Sequence, residues 1–262
     1  MWPNHVNWKR RVVLTINVMA PFLFVALWLL GQFWIGLGIM FIAHMLLLFG
    51  TLIPNSELLG PVISKLETGT NEIWLTIDDG PDPQDTPALL DQLDEADAKA
   101  TFFLIGEKAE RHPDLVQDIV DRGHSIGNHT ATHPATTFWC YGPAGIRREI
   151  TKATQQIESA GAERPKLFRA PVGFKNIFVH PALQQNNMAL AGWSCRGLDG
   201  SESDPNKILE RLSAGMFPGS ILLMHEGNEA EDGSRLAPQI LAGILTMAKE
   251  RDLNFTIPDE FK

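Results

Sequence analysis

Between Arg11 and Glu57 lie 45 consecutive residues without a charged side chain. A membrane-crossing helix needs only about 20 mostly apolar residues, so this run is long enough for two. It breaks at Gly31-Gln32 into Val12–Leu30 (19 residues) and Phe33–Ile53 (21 residues). At about 1.5 Å per residue, either piece crosses a hydrocarbon layer about 30 Å thick. A secretory signal has a shorter apolar core, about 7–15 residues, ahead of a small-residue cleavage site. The reading is a tight helical hairpin, with one span followed by a buried or interfacial helix as the alternative. Trp2, Trp8, Trp28 and Trp34 fall near the proposed ends, where ordinary lipid contact accounts for them.

The remaining residues are acidic. Net charge over 262 residues is −9, and Lys9, Arg10 and Arg11 are the only charged residues before Glu57. The body beyond the hairpin therefore carries three more negative charges than the whole chain, which argues against nucleic acid as a partner. Cys140 and Cys195 have no metal-ligand spacing, and two cysteines do not make a disulfide scaffold. The expected organisation is a membrane anchor over 1–56, a linker over 57–71 and a catalytic domain over 72–262.

From Glu72 onward, short β-rich runs alternate with amphipathic stretches. Strands are expected at Ile73–Ile77, Ala100–Ile105, Ser125–Ile126, Leu167–Arg169, Met188–Trp193 and Ser220–His225. Helices are expected at Thr86–Ala96 (capped by Thr86, with Pro87 in the first turn), Pro113–Arg122, Ala144–Ala160, Pro205–Ala214 and Leu236–Lys249. This alternation implies a parallel sheet in a closed or partly closed (β/α) barrel. No GxGxxG or GxxxxGK[ST] points to a nucleotide.

Polar residues cluster at the expected strand ends: Asp78 and Asp79 close the first strand, Arg169 another, and His225 the last. In a parallel barrel these ends meet on one face. His129 and His133, at i and i+4, would share a face of a helical turn and grip one cation. Asp79 can supply an anionic ligand. Two histidines and a carboxylate leave positions open for water and substrate, as hydrolytic metal sites do. Asp78 is then placed to act as a base, with Arg169 keeping it ionised.

Together these segments resemble the polysaccharide deacetylases with the NodB homology domain, carbohydrate esterase family 4. The matching runs are Thr76–Pro81, His129–His133, Arg169–Gly173 (RxPxG) and Leu222–His225, with Ala100–Phe103 and Gly123–Asn128 between them. The resemblance implies a distorted (β/α) barrel of the NodB type behind the N-terminal transmembrane hairpin. It implies Asp78 as base, Asp79, His129 and His133 as ligands of a divalent ion, usually Zn2+, and Arg169 as the partner of Asp78. His225 would be the general acid and Asp199 the carboxylate that raises its pKa. The backbone N–H of Val172 would hold the oxyanion, and Leu222, opening the last motif, is placed with it in the substrate site.

The fourth motif departs from the family pattern. Where the family commonly reads DxxDW, this chain reads Arg196-Gly197-Leu198-Asp199-Gly200. Arg196 replaces an acid and Gly200 the aromatic wall of the sugar groove, which points away from extended polysaccharide and toward a small or lipid-linked substrate. The expected function is membrane-anchored deacetylation of an N-acetylated amino sugar in a glycan or glycolipid. A deformylase or deacetylase of a polyprenyl-linked sugar and a catalytically dead glycan-binding module are the alternatives. His124 and Cys195 are expected in the core, and Phe138–Tyr141 fits packing or sugar stacking equally. With two spans, Lys9–Arg11 place the catalytic domain on the cytoplasmic side of a bacterial-type inner membrane. One span would place it outside, where such deacetylases more often work.

Overall fold

A computed structural model describes residues 8–261, so the reading for Trp2 lies outside the described residues. Helices α1 (Trp8–Leu29) and α2 (Phe33–Leu52) form an antiparallel hairpin that turns at Gly31, whose φ of 78° favours glycine. Gly36 allows the close approach, since a Cβ there would lie 3.1 Å from the Phe24 ring. Asn17 Nδ2 crosses between the helices to the Ala43 carbonyl at 3.0 Å. Most of the large apolar side chains on both helices face outward.

The rest of the chain winds through β1 (Glu72–Gly80), α3 (Thr86–Glu95), β2 (Ala100–Leu104), α4 (Gly106–Arg111), α5 (Pro113–Asp121) and β3 (Ser125–Asn128). It continues with α6 (Pro143–Ser159), β4 (Leu167–Phe168), α7 (Val179–Asn186), β5 (Ala189–Leu190), β6 (Cys195–Arg196), α8 (Pro205–Gly215), β7 (Ile221–His225), α9 (Leu236–Glu250) and β8 (Asn254–Phe255). The strands are parallel in the order β5-β4-β3-β2-β1-β7-β6, with β8 beside the start of β1. The curled sheet is a partly closed barrel, as expected.

Strand alternation divides the core. Ile73, Leu75, Ile77, Leu222 and Met224 pack outward against Leu89, Leu93, Ile240 and Ile244 of the helices. Trp74, Phe103, Ile221 and Leu223 line the inside with Trp193 and Phe261.

Several local expectations need correction. Helices α4 and α7 arise where none was expected, and the expected strand Met188–Trp193 shortens to the two residues of β5. Asp85, not Thr86, sits in the cap position of α3. The Thr86 hydroxyl instead accepts from the Asp82 N–H at 2.8 Å and donates to Glu226. His129–His133 is a loop rather than a helical turn.

The segment 57–71 is built into the barrel. Ile63 accepts from the Gly192 N–H at 2.8 Å and donates to Leu190 at 2.9 Å, beside β5, while the Leu66 N–H reaches the Gly219 carbonyl at 2.9 Å, ahead of β7. Leu59 is fully buried, and Val62 packs with Phe168 and Leu190. Asn55 donates to the Trp193 carbonyl at 2.6 Å. Lys175, fully buried, caps the end of α2 by donating Nζ to the carbonyls of Ile53 (2.8 Å) and Pro54 (2.7 Å).

Removing residues 1–56 deletes both carbonyl acceptors of the buried Lys175 Nζ. Leaving a buried donor unsatisfied costs about 1–3 kcal/mol, more if it is charged. At about 2–4 °C per kcal/mol for a domain of this size, the truncated chain is expected to melt about 5–10 °C lower than the full chain in detergent. Thermal unfolding of both checks this; equal Tm values would show that the clamp contributes nothing.

Candidate active site

Register sets the first part of the site. Asp78 pairs with Phe103 of β2 and with His225 of β7, so the base candidate and the acid candidate stand on adjacent strands at the same level. Parity puts Asp78 on the inner face with Thr76 and Trp74, and would send Asp79 outward to the helices. A register shift between Asp78 and Gly80 prevents this. Asp79, at φ 71°, is turned into the same site.

His129 and Arg169 each follow a strand. The His129 N–H donates to Leu104 (2.9 Å) and the Arg169 N–H to Asn128 (2.9 Å), which continues the sheet pairing by one residue. The loop beyond His129 is held by its own polar groups. Asn128 Oδ1 accepts from the Thr130 N–H (2.9 Å), Thr130 Oγ1 accepts from the His133 N–H (3.0 Å), and the first N–H groups of α4 donate to the Thr130 and Ala131 carbonyls. Thr130 and His133 lie at φ 68° and 50°. The two imidazoles meet through this left-handed backbone, not through helical spacing.

Asp79, His129 and His133 converge with ligand atoms all within 4.8 Å of one another. Asp79 Oδ1 is 3.4 Å from His129 Nε2 and 3.2 Å from His133 Nε2, yet this buried oxygen has no hydrogen-bond partner. Nitrogen and oxygen ligands about 2.0–2.1 Å from a tetrahedral ion lie about 3.4 Å apart. His129 Nδ1 donates to the Arg169 carbonyl at 2.9 Å, which leaves the Nε2 lone pair aimed at the other ligands. An orphaned carboxylate oxygen at ligand spacing, facing a tautomer fixed from behind, fits a divalent ion.

The electrostatics agree. Burial alone would raise the pKa of Asp79, but the His129 and His133 imidazoles hold the carboxyl well below the usual range. Burial opposes a charge on His129, yet Asp78 and Asp79 overcome it and draw positive charge to the Nε2 that a cation would contact. Burial and the neighbouring His129 bring His133 down to about 4, so it offers a neutral lone pair at pH 7.

Beside the ligands, Asp78 is almost wholly buried. Arg169 Nη1 donates to Asp78 Oδ1 at 2.6 Å and to Thr76 Oγ1 at 2.8 Å, and Nη2 donates to the Gly192 carbonyl at 2.8 Å. The guanidinium lies 4.1 Å over the Phe103 ring. Asp78 Oδ2, 3.7 Å from His129 Nε2, is left facing the ligand cluster. Across the site, Asp199 accepts from both the backbone N–H (2.7 Å) and Nδ1 (3.0 Å) of His225. Burial pulls the His225 pKa down, but the Asp199 carboxylate outweighs it and lifts the imidazole to about 9.

Val172, at φ 49° in the Pro171–Gly173 turn, is 47% exposed. Asp78, Asp79, His129, His133, Arg169, Asp199 and His225 therefore gather, with the Val172 turn directly following the Arg169 end of β4. Leu222 does not join them. Three residues before His225 it has the opposite parity, and its side chain is fully buried against the outer helices. His124 accepts from the Ala100 N–H at 3.2 Å and packs edge-on to Phe102, a core histidine as expected; Cys195 is buried as well. Phe138 is fully buried against Phe168, so that aromatic run begins as packing. Lys175 carried no signal, because its partners lie more than 120 residues away in sequence.

Comparison with known proteins fits this arrangement. The polysaccharide deacetylase family profile matches residues 65–191. A chitooligosaccharide deacetylase of Sinorhizobium fredii is 36% identical over 166 residues, 63% of this chain and 76% of that protein. A peptidoglycan-N-acetylglucosamine deacetylase of Bacillus cereus is 34% identical over 195 residues, 73% of this chain and 68% of its own. The crystal structure of a peptidoglycan N-acetylglucosamine deacetylase bound to 4-naphthalen-1-yl-N-oxidanyl-benzamide superposes with a TM-score of 0.68 at 29% identity, covering 76% of this chain and 92% of that one. With its curled parallel sheet and the charged residues gathered at the strand ends, this chain belongs to the polysaccharide deacetylase family with the NodB homology domain, carbohydrate esterase family 4, hydrolases of non-peptide carbon–nitrogen bonds.

Proposed function

We propose that the protein is a membrane-anchored, zinc-dependent deacetylase that hydrolyses the N-acetyl group of an amino sugar. The observation that carries this reading is the meeting of Asp79, His129 and His133 between two separately buried charge pairs, Asp78–Arg169 and His225–Asp199. Relatives named for chitooligosaccharide and peptidoglycan N-acetylglucosamine supply the sugar class.

In this reading Asp79, His129 and His133 hold the ion, which when bound polarises the acetyl carbonyl and acidifies water. Asp78 takes the proton of the attacking water, and Arg169 holds and aims its carboxylate. The left-handed turn at Val172 presents a backbone N–H to the developing oxyanion. His225, charged through Asp199, protonates the departing nitrogen. The C–N bond breaks, acetate leaves with the water oxygen, and the sugar keeps a free amine.

A general acid works only while protonated, so the rate falls as pH rises past the His225 pKa. Asp199→Asn removes the charge that lifts this pKa, and burial then acts unopposed by it. The alkaline limb is expected to move about 1–3 units to lower pH. A pH–rate profile of acetate release from penta-N-acetylchitopentaose tests this; an unmoved limb would remove His225 as the titrating acid.

Two outward-facing apolar helices, of 22 and 20 residues, support the anchor. In this reading the hairpin returns the chain to the side from which it enters, and the positive charges of Lys9–Arg11 support the cytoplasmic side. A C-terminal fluorescent-protein fusion is expected to fluoresce and an alkaline phosphatase fusion to be inactive. The reverse pattern would put the domain outside.

A further inference from the structure

The hairpin is joined to the lip of the active site, not merely tethered near it. Two residues after the Val172 turn, the Lys175 N–H donates to the Thr51 carbonyl at 3.1 Å while Nζ caps Ile53 and Pro54. Gly173 leaves room for Pro54, since a Cβ there would lie 2.6 Å from the proline and from Trp193. At the other helix end, Lys9 pairs with Glu57 at 2.9 Å and Arg10 donates to the Ile177 carbonyl at 3.0 Å. The polar boundary of the hairpin thus coincides with the loop that follows Arg169. The Gly31 turn lies about 20 residues further along each helix, roughly 30 Å away, the thickness of a hydrocarbon layer.

Exposure at the site points the same way. Among the described residues, the large apolar side chains exposed outside the hairpin region are Val172 (47%), Leu198 (37%) and Phe217 (60%). The first two border the catalytic groups: Val172 lies in the turn after Arg169, and Leu198 precedes Asp199. Two residues after Leu198, a Cβ on Gly200 would meet nothing within 4 Å. Val172, next to the Gly173 that packs on Pro54 at the end of the docked hairpin, gives the site an apolar edge that suits a bilayer surface as its partner.

Resting on the deacetylase reading above, we propose that the clamp holds the mouth of the site at the bilayer surface and that the substrate is an N-acetylamino sugar carried on a polyprenyl phosphate. A clamped domain cannot follow a polymer away from the membrane. It meets a lipid-linked sugar at high effective concentration. The reaction supplying the substrate would be transfer of an N-acetylamino sugar to the lipid carrier on the membrane face that the domain occupies.

The test uses the metal-loaded full chain in phosphatidylethanolamine–phosphatidylglycerol vesicles, with acetate release as the readout. One probe is N-acetylglucosaminyl-phosphoundecaprenol in the same vesicles, and the other is soluble penta-N-acetylchitopentaose. The lipid-linked probe is expected to show a kcat/KM at least about tenfold higher. Lys175→Met, which removes the cap but keeps an apolar stem, is expected to erase that preference without changing the chitopentaose rate. Leu198→Asn, suited to the left-handed backbone at φ 67°, should lower the lipid-linked rate alone and serves if Lys175→Met does not fold. Equal kcat/KM for the two probes in the wild type, or a preference that survives both substitutions, would overturn the proposal and leave the deacetylase reading standing. Acetate from neither probe would overturn that reading itself.

Discussion

Asp78→Asn is expected to lower kcat by about 10²–10⁴-fold, the usual contribution of a general base. The substitution preserves shape, so the Arg169 Nη1 contact to Oδ1 survives. It removes the charge that balances a fully buried guanidinium. Some loss of stability is therefore expected, about 1–3 kcal/mol. Two further measurements separate catalysis from folding: the melting temperature, and metal stoichiometry by elemental analysis, which should stay at about one equivalent because Asp79, His129 and His133 remain. Near-wild-type kcat in a folded, metal-loaded Asp78→Asn protein would eliminate the mechanism.

The second large effect is loss of the ion. His129→Ala and His133→Ala each leave two of three ligands, and the double variant leaves only Asp79. Activity is expected to vanish in all three, with metal content falling below measurable levels in the double variant. The fold should persist, because the three side chains sit at strand ends and loops while the core lies among Ile73, Leu75, Leu222, Ile240 and their neighbours. His129 also donates Nδ1 to the Arg169 carbonyl, so His129→Ala should destabilise more than His133→Ala. Undiminished metal in the double variant would refute the assignment. For the single variants, binding should weaken as pH falls, since protons compete with the cation for imidazole nitrogen.

Most of the candidate site was legible as a list of residues. Asp78-Asp79, His129, His133, Arg169 and His225 announce themselves because acids and imidazoles at the ends of apolar strand runs have no packing role there. The parallel barrel was legible for a related reason: strand and helix periods alternate, and only a few layered arrangements bury both. The hairpin was visible in 45 residues without charge. All of these are local properties of the chain.

Tertiary structure decided how the residues meet. The i, i+4 spacing of His129 and His133 suggested a helical turn, whereas Thr130 and His133 in left-handed backbone, with the first turn of α4 donating to the loop, build it instead. The bulge that turns Asp79 inward depends on the pairing of β1 with β2, which no period-two pattern predicts. Leu222 shared a motif with His225 but not its parity, and side-chain alternation sends it to the outer core. The junction of hairpin and barrel was invisible for a further reason. Nothing local marks Lys175, because the Ile53 and Pro54 carbonyls it meets, just past the end of α2, lie more than 120 positions away. Backbone acceptors carry no residue identity, so the sequence alone determined which groups were available for chemistry, while the fold decided which of them touch and that the end of the apolar hairpin holds them.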